Sequence, residues 1–224
     1  MLAKVHHQVS WYWRSEMRAA GALPRAPGGV VSSRSWGHGG VVWSPGKVQA
    51  KVNVPGYQAW FEATDQVRVY QGHRRQLQYL QWRCPGAPWV LKSPQHLWTL
   101  ESLFEVYPDA RIIQTHRDPL KIVASLTSLC CMLRSLTSDA IDPHAIGADW
   151  GERLAAGLAH TMAVRDSGAV PAESAMRGFL DDNAQDKHGR HAYRLADAGL
   201  DEASERERFA FYQERHGVAS ERVD

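Results

Sequence analysis

The first 61 residues contain one acidic side chain, Glu16. The same region holds the Gly/Pro/Ser-rich stretch "GALPRAPGGVVSSRSWGHGG" and shows no sustained helical or alternating period. Residues 1–50 therefore read as an irregular or poorly ordered segment. An Arg-rich, acid-poor leader is also the composition of a targeting peptide or of a remodelled N-terminus. Cysteine is scarce: Cys84, Cys130 and Cys131 are the only three, and two are adjacent. That excludes a disulfide framework and favours a reducing interior, the cytoplasm. No run of about 18 apolar residues is present, which excludes a transmembrane helix. His6, His7, Gln8 and Arg14 interrupt any apolar core of a signal peptide. Charge of either sign is not in excess, with 26 basic against 24 acidic residues and a net +2. This weighs against nucleic-acid and membrane partners. No repeat is visible.

What is present begins near Val54. A hydrophobic share of 44% over 224 residues is enough to bury a core. In "YQGHRRQLQYLQWR", Tyr70, Leu77 and Leu80 fall at helical spacing. "PWVLKS" has the pattern of a short buried strand. "HLWTLESLFEVY" places Leu97, Leu100, Phe104 and Tyr107 on one helical face, and "RIIQTH" is a second strand candidate. Ile122, Leu126, Leu129, Leu133 and Leu136 then step by helical intervals. Further helices are expected over Trp150 to Arg165 and Asp201 to Arg215, the latter stopped at His216-Gly217. Strand–helix–strand–helix implies an α/β class with parallel strands and a right-handed crossover. In such sheets ligands bind outside the carboxyl ends of the strands. Residues 51–224 read as one partial α/β domain.

The two strand candidates end alike, in Lys92-Ser93-Pro94 and in Arg117-Asp118-Pro119. Each has a cation, an N-cap residue and a proline suited to the first helical position. A cation beside a helix start is unfavourable by roughly 0.3–1 kcal/mol, because that end already carries partial positive charge. A bound anion offsets the repulsion at both sites, and the N–H groups of a helix start with an Arg or Lys make an anion site. If the strands are neighbours, Lys92 and Arg117 share one edge of the sheet. Ser125, about two turns into the second helix, can reach the same anion. A cation at a strand end is also an ordinary solvated side chain, and Ser125 an ordinary residue flanking an apolar stripe.

"WVLKSPQHL" followed by "PDARIIQTHRDPLKIVAS" resembles the PAPS-dependent sulfotransferases, where PAPS is 3′-phosphoadenosine 5′-phosphosulfate, and especially the bacterial branch with KSP and RDP motifs. "VPGYQAW", "HRRQLQYLQWR" and "KHGRHAYRLADAGL" also resemble that branch. The resemblance implies a P-loop-type parallel sheet flanked by helices, and sulfuryl transfer from PAPS to an acceptor hydroxyl or amine. It implies Arg117 and Ser125 as the grip on the 3′-phosphate and Lys92 as the cation near the transferring group. His96 is the candidate catalytic base, with His116 and His73 as rivals. Lys187, Gly189 and Arg190 are loosely similar to a phosphate loop; the rival reading is a basic solvent loop. The expected partner is a small-molecule acceptor. No metal is expected, since His188 and His191 lack a second Cys/His pair at zinc spacing.

The departures are specific. The family opens with a strand and a P-R-S-G-T type loop that holds the 5′-phosphosulfate, and no such segment stands here. "GGVVWSPGKV" misses the nucleotide-loop spacing. A strand and loop usual between Asp166 and Met176 are reduced to "SGAVPAES". The chain reads as a truncated member. The alternative is a non-catalytic remnant or a module that keeps only the 3′-phosphate half-site. A basic-patch nucleic-acid binder is a weaker rival, since no motif for it is present. The acceptor and the oligomeric state are not written in the sequence.

Overall fold

The computed structural model describes residues 11–15, 46–83, 89–167 and 194–223. The chain divides into two compact units, one of Ser10–Gln114 and one from Thr115 onward.

The first unit holds a three-stranded sheet in the order β2-β1-β3, with β1 at Trp11–Ser15, β2 at Trp89–Ser93 and β3 at Arg111–Gln114. β1 runs antiparallel to both neighbours. Two expectations change here. The two later strands were expected to run parallel, and they do point the same way, but the condition that they be neighbours fails, because β1 is hydrogen-bonded between them and the sheet is antiparallel. Ser93 and Gln114 both pair with Trp11, so the two strands finish at the same end of the sheet, one strand apart. Regular structure in the acid-poor segment was also not expected. Trp11–Ser15 reads WYWRS, and three aromatics in five residues are good strand formers. Five residues are too few to display a period.

Helices follow at Gly46–Lys51 (α1), Pro55–Ala63 (α2) and Val67–Arg83 (α3). Asp65 accepts the Val67 N–H at 2.8 Å, satisfying one of the orphan donors that open α3. Tyr70 and Leu77 enter the core as the spacing predicts, together with Val67, Leu91, Leu103, Val106, Tyr107 and Ala110. Leu80, expected on the same face, is exposed. The single helix expected from His96 to Tyr107 is two pieces, a 3-10 helix at Pro94–Trp98 and α4 at Leu100–Val106. The break falls at Thr99, whose hydroxyl is 2.7 Å from the Tyr70 hydroxyl.

The second unit is helical: α5 at Pro119–Arg134, α6 at Pro143–Asp166 and α7 at Glu202–His216, with a 3-10 turn at Ala196–Ala198. α6 starts earlier than its apolar pattern suggested. Asp142 accepts the N–H groups of His144 and Ala145 at 2.9 and 3.1 Å, and Pro143 opens the helix. α7 matches the expected bounds, capped by Asp201 and ended by Gly217 at φ +61°, a left-handed stop that favours glycine. α5 buries Leu120, Val123, Ala124, Thr127 and Cys130 more deeply than most of the predicted leucine stripe, and Leu136 lies beyond its end, exposed. The helix packs on α6, α7 and the 3-10 turn. Its buried arc is therefore wider than the stripe of large apolar residues, and small ones fill it. Gly147 lets the 3-10 turn approach, since a Cβ there would meet the Ala198 carbonyl oxygen at 2.6 Å. No helix among the described residues is long and apolar enough to cross a membrane.

Candidate functional site

In the first unit, Lys92 is the fourth residue of β2, paired with Tyr12. Ser93 caps the helix after it, as expected, accepting the Gln95 N–H at 3.3 Å. That helix is a five-residue 3-10 piece. It aligns few peptide dipoles, so the argument that its N-terminus attracts an anion loses most of its force.

His96 lies in this 3-10 helix and is buried. Its Nδ1 is 2.7 Å from the Tyr70 hydroxyl, and the two rings stack with centroids 5.9 Å apart. The Tyr70 hydroxyl also meets Thr99 Oγ1 at 2.7 Å, and Thr99 donates to the Gln95 carbonyl at 3.3 Å. Burial, and after it the nearby His73, push His96 down to about 3. His73 is pushed down by burial to about 4, with Nδ1 2.7 Å from the Tyr107 hydroxyl. Both imidazoles are therefore neutral at neutral pH, and burial raises both tyrosines. A buried imidazole of such low basicity is a weak general base, since the best catalytic pKa lies near the working pH.

The second unit carries Arg117 and Ser125. Asp118 caps α5 as expected, accepting the Leu120 N–H at 3.0 Å through Oδ1. Its other oxygen accepts from Arg206 Nη1 and from the Glu221 N–H, each at 2.6 Å. Arg117 does not stand open. It grips the Glu221 carboxylate with two parallel bonds, Nε to Oε1 at 2.9 Å and Nη2 to Oε2 at 3.0 Å. Arg206 Nη2 donates to the Glu221 carbonyl at 2.8 Å and to Glu202 at 3.2 Å. Glu221 is thus held by its amide, its carbonyl and its side chain. Further along the same segment, the buried Val223 accepts the Leu195 N–H at 3.1 Å. Two guanidinium groups here face three carboxylates. Ser125, expected to flank the apolar stripe of α5, is buried.

His116, a rival base, has Nδ1 2.7 Å from the Tyr212 hydroxyl and its ring 4.2 Å from that of His216. Packing of the ring, with His216 and Arg165 nearby, pushes it down to about 4. Lys187, Gly189 and Arg190 lie outside the described residues.

Sequence reasoning missed Glu221, Arg206, Tyr70 and Thr99. The first two come from about 90 to 100 residues away, and no local pattern announces such a pairing. Tyr70 was marked only as an apolar face residue.

A model described as the sulfotransferase family matches residues 33–177. Two solved structures are similar. Sulfotransferase STF1 from Mycobacterium tuberculosis is 31% identical, with a TM-score of 0.60, over 74% of this chain and 51% of its own. Sulfotransferase STF9 from Mycobacterium avium is 24% identical, with a TM-score of 0.59, over 77% of this chain and 53% of its own, a likeness of fold. The chain spans about half the length of these solved relatives. No curated protein matches closely enough to count. With the family model covering well over half of its residues, this chain belongs to the sulfotransferase family.

Proposed function

We propose that this chain binds the 3′-phosphate of PAPS at Arg117, with Ser125 beside it, and serves sulfuryl transfer to an acceptor hydroxyl or amine. The observation that carries this reading is the Arg117 fork, whose two donors already hold two oxygens of one oxyanion at 2.9 and 3.0 Å. A phosphate offers the same pair of acceptors with more charge, and such bidentate contacts are the strong ones. Binding there requires the Glu221 carboxylate to leave. The sequence resemblance assigns charge near the rest of the donor to Lys92 and, outside the described residues, to Lys187, Gly189 and Arg190. In the reaction, the acceptor oxygen or nitrogen forms a bond to sulfur as the bond from sulfur to the 5′-phosphate oxygen breaks. Adenosine 3′,5′-bisphosphate leaves. The acceptor's proton passes to a base; the sequence offers His96 for this role, although burial makes its imidazole a weak one. By analogy with phosphoryl transfer, positioning and electrostatic stabilisation do most of the work.

A second reading has its own support. Glu221 satisfies Arg117 without any ligand. A module that takes the 3′-phosphate and transfers nothing fits that self-satisfied fork. Titration calorimetry with adenosine 3′,5′-bisphosphate tests the shared claim. Each charge-assisted bond is worth roughly 1.5–3 kcal/mol, so Arg117→Ala is expected to weaken binding by about tenfold or more. Equal affinity in the wild type and Arg117→Ala defeats both readings. Transfer of labelled sulfate from PAPS to an acceptor then separates enzyme from module.

A further inference from the structure

We propose that the exposed face of α3 docks the first unit on an anionic membrane surface, through a stripe made of Arg68, Arg75, Tyr79 and Trp82. None of these residues takes part in the reading of Arg117 and PAPS, so the two stand or fall separately.

α3 runs from Val67 to Arg83 and gives one side to the core, where Val67, Tyr70 and Leu77 are buried. The four stripe residues follow one another at intervals of seven, four and three. Such intervals keep side chains on one line of a helix, and at 3.6 residues per turn the four fall within about 60° of arc. Arg68 and Arg75 are exposed, and Tyr79 and Trp82 are 70% and 73% exposed. The charge around them has one sign. No acidic residue lies between Asp65 and Glu101, whereas Arg68, Arg74, Arg75, Arg83 and Lys92 all do. The near-neutral net charge of the whole chain, +2, hides this local excess.

Charge complementarity calls for an anionic partner, and the exposed rings narrow its class. Tyrosine and tryptophan have an apolar body and a polar tip, which suits them to the headgroup level of a bilayer. Arginines beside them meet lipid phosphates with paired donors and draw on the negative potential of an anionic leaflet. From Arg68 to Trp82 the stripe is about 21 Å long at 1.5 Å per residue, and a flat surface can touch all of it. A nucleic-acid duplex would set the two rings against closed base pairs, with nothing to stack on. Single strands are held in basic grooves, and the outer face of a helix is a ridge. The apolar side of α3 belongs to the core, so the helix lies on the surface at headgroup level. That agrees with the finding that no helix among the described residues is long and apolar enough to cross a membrane.

Co-sedimentation of the full chain with sucrose-loaded vesicles tests this. One set of vesicles is phosphatidylcholine alone; the other is phosphatidylcholine with an equal part of phosphatidylserine. The expected result is binding to the anionic set, little to the neutral set, and a fall as salt is raised. Arg68→Gln with Arg75→Gln should weaken partitioning by about thirtyfold. Tyr79→Ser with Trp82→Ser should weaken it by about tenfold or more. The side chains are exposed, so both variants should keep the fold, which circular dichroism checks. Absence of wild-type binding to the anionic vesicles overturns the proposal whether or not the variants fold. Equal binding to the neutral set, or unchanged binding in either folded variant, overturns it too. Binding to random DNA in place of vesicles would assign the stripe to nucleic acid instead. A dimer that is lost in Tyr79→Ser with Trp82→Ser, without vesicle binding, would assign it to a second copy of the chain.

Discussion

Around His96 the buried polar groups carry no charge: Tyr70, Thr99 and His96 are linked through hydroxyl and imidazole groups. Around Asp118 nearly every group is ionised: Arg117, Arg206, Glu202 and Glu221 surround a carboxylate whose side chain is 0% exposed. Both clusters sit next to a helix start that follows a cation in the sequence, and both starts have the capping residue and proline the sequence suggested. The first solves the burial of polar groups by proton sharing, the second by charge pairing. A neutral network responds to acid, because protonating it places an unpaired charge in the interior. An ionic network responds to loss of one partner and to competing ions. The comparison can be broken by perturbing each cluster in the way the other should ignore.

The strongest perturbation is Asp118→Ala. It removes the cap of α5 and leaves Arg206 without its buried partner and the Glu221 amide without its acceptor. Loss of one member of a buried pair costs about 3–5 kcal/mol, and urea denaturation should show a destabilisation of that order. Asp118→Asn keeps an oxygen for the Leu120 N–H and should lose less. A change below about 1 kcal/mol in Asp118→Ala would mean the ionic cluster does not hold the second unit together.

Acid separates the clusters next. His96 and His73 are held below their ordinary value of 6.5, at about 3 and about 4. Below pH 6.5 the unfolded chain binds protons that the folded chain refuses. Their contribution to stability is therefore complete above about 6.5 and is lost as the pH falls toward 4 and then 3. Each group contributes a slope of about 1.4 kcal/mol per pH unit in that window. Thermal unfolding followed between pH 7 and pH 4 should show this fall, shallower in His96→Gln. An unchanged slope in His96→Gln would show that the imidazole is already protonated in the folded protein.

How much of this was legible in advance differs between the clusters for a physical reason. Ser93 and Asp118 as caps, Pro94 and Pro119 as first helical residues, and the stop of α7 at Gly217 are local chemistry, and each was readable within a few residues. The strand Trp11–Ser15 was not, because five residues carry no period and the surrounding composition argued against order. Its insertion between β2 and β3 is what turned an expected parallel pairing into two antiparallel ladders. Arg117 was identified as an anion holder from the charge at a helix start. Its occupant, Glu221, is 104 residues away in sequence, and nothing in "SERVD" distinguishes that glutamate from a solvated one. Sequence thus exposed the cation and concealed the carboxylate that pairs with it. At His96 it offered the base candidate and hid the Tyr70 and Thr99 hydroxyls bonded beside it, because a tyrosine at helical spacing reads as core.

A third test returns to the fork. Glu221→Gln keeps the shape of the side chain and removes its charge, so the Arg117 guanidinium is released to other anions. Its affinity for adenosine 3′,5′-bisphosphate should rise by about tenfold, in line with the roughly 1.4 kcal/mol that one order of magnitude represents. If Glu221→Gln and the wild type bind alike while Arg117→Ala loses binding, the nucleotide reaches Arg117 without displacing the carboxylate.

The smallest effect expected is the direct worth of the Arg117–Glu221 pair to folding. The two side chains are 21% and 32% exposed, so solvent screens their attraction, and pairs of this kind typically contribute 0–1 kcal/mol. The fork geometry favours the upper part of that range. A double-mutant cycle with Arg117→Ala and Glu221→Ala should therefore return a coupling of about 0.5–1 kcal/mol at low salt, shrinking toward zero as ionic strength shortens the screening length. A pair this weak would exchange readily for a phosphate, as the 3′-phosphate role proposed for Arg117 requires. A coupling of several kcal/mol, insensitive to salt, would instead make Glu221 a permanent structural partner. Arg117 would then belong to the architecture of the second unit rather than to a nucleotide.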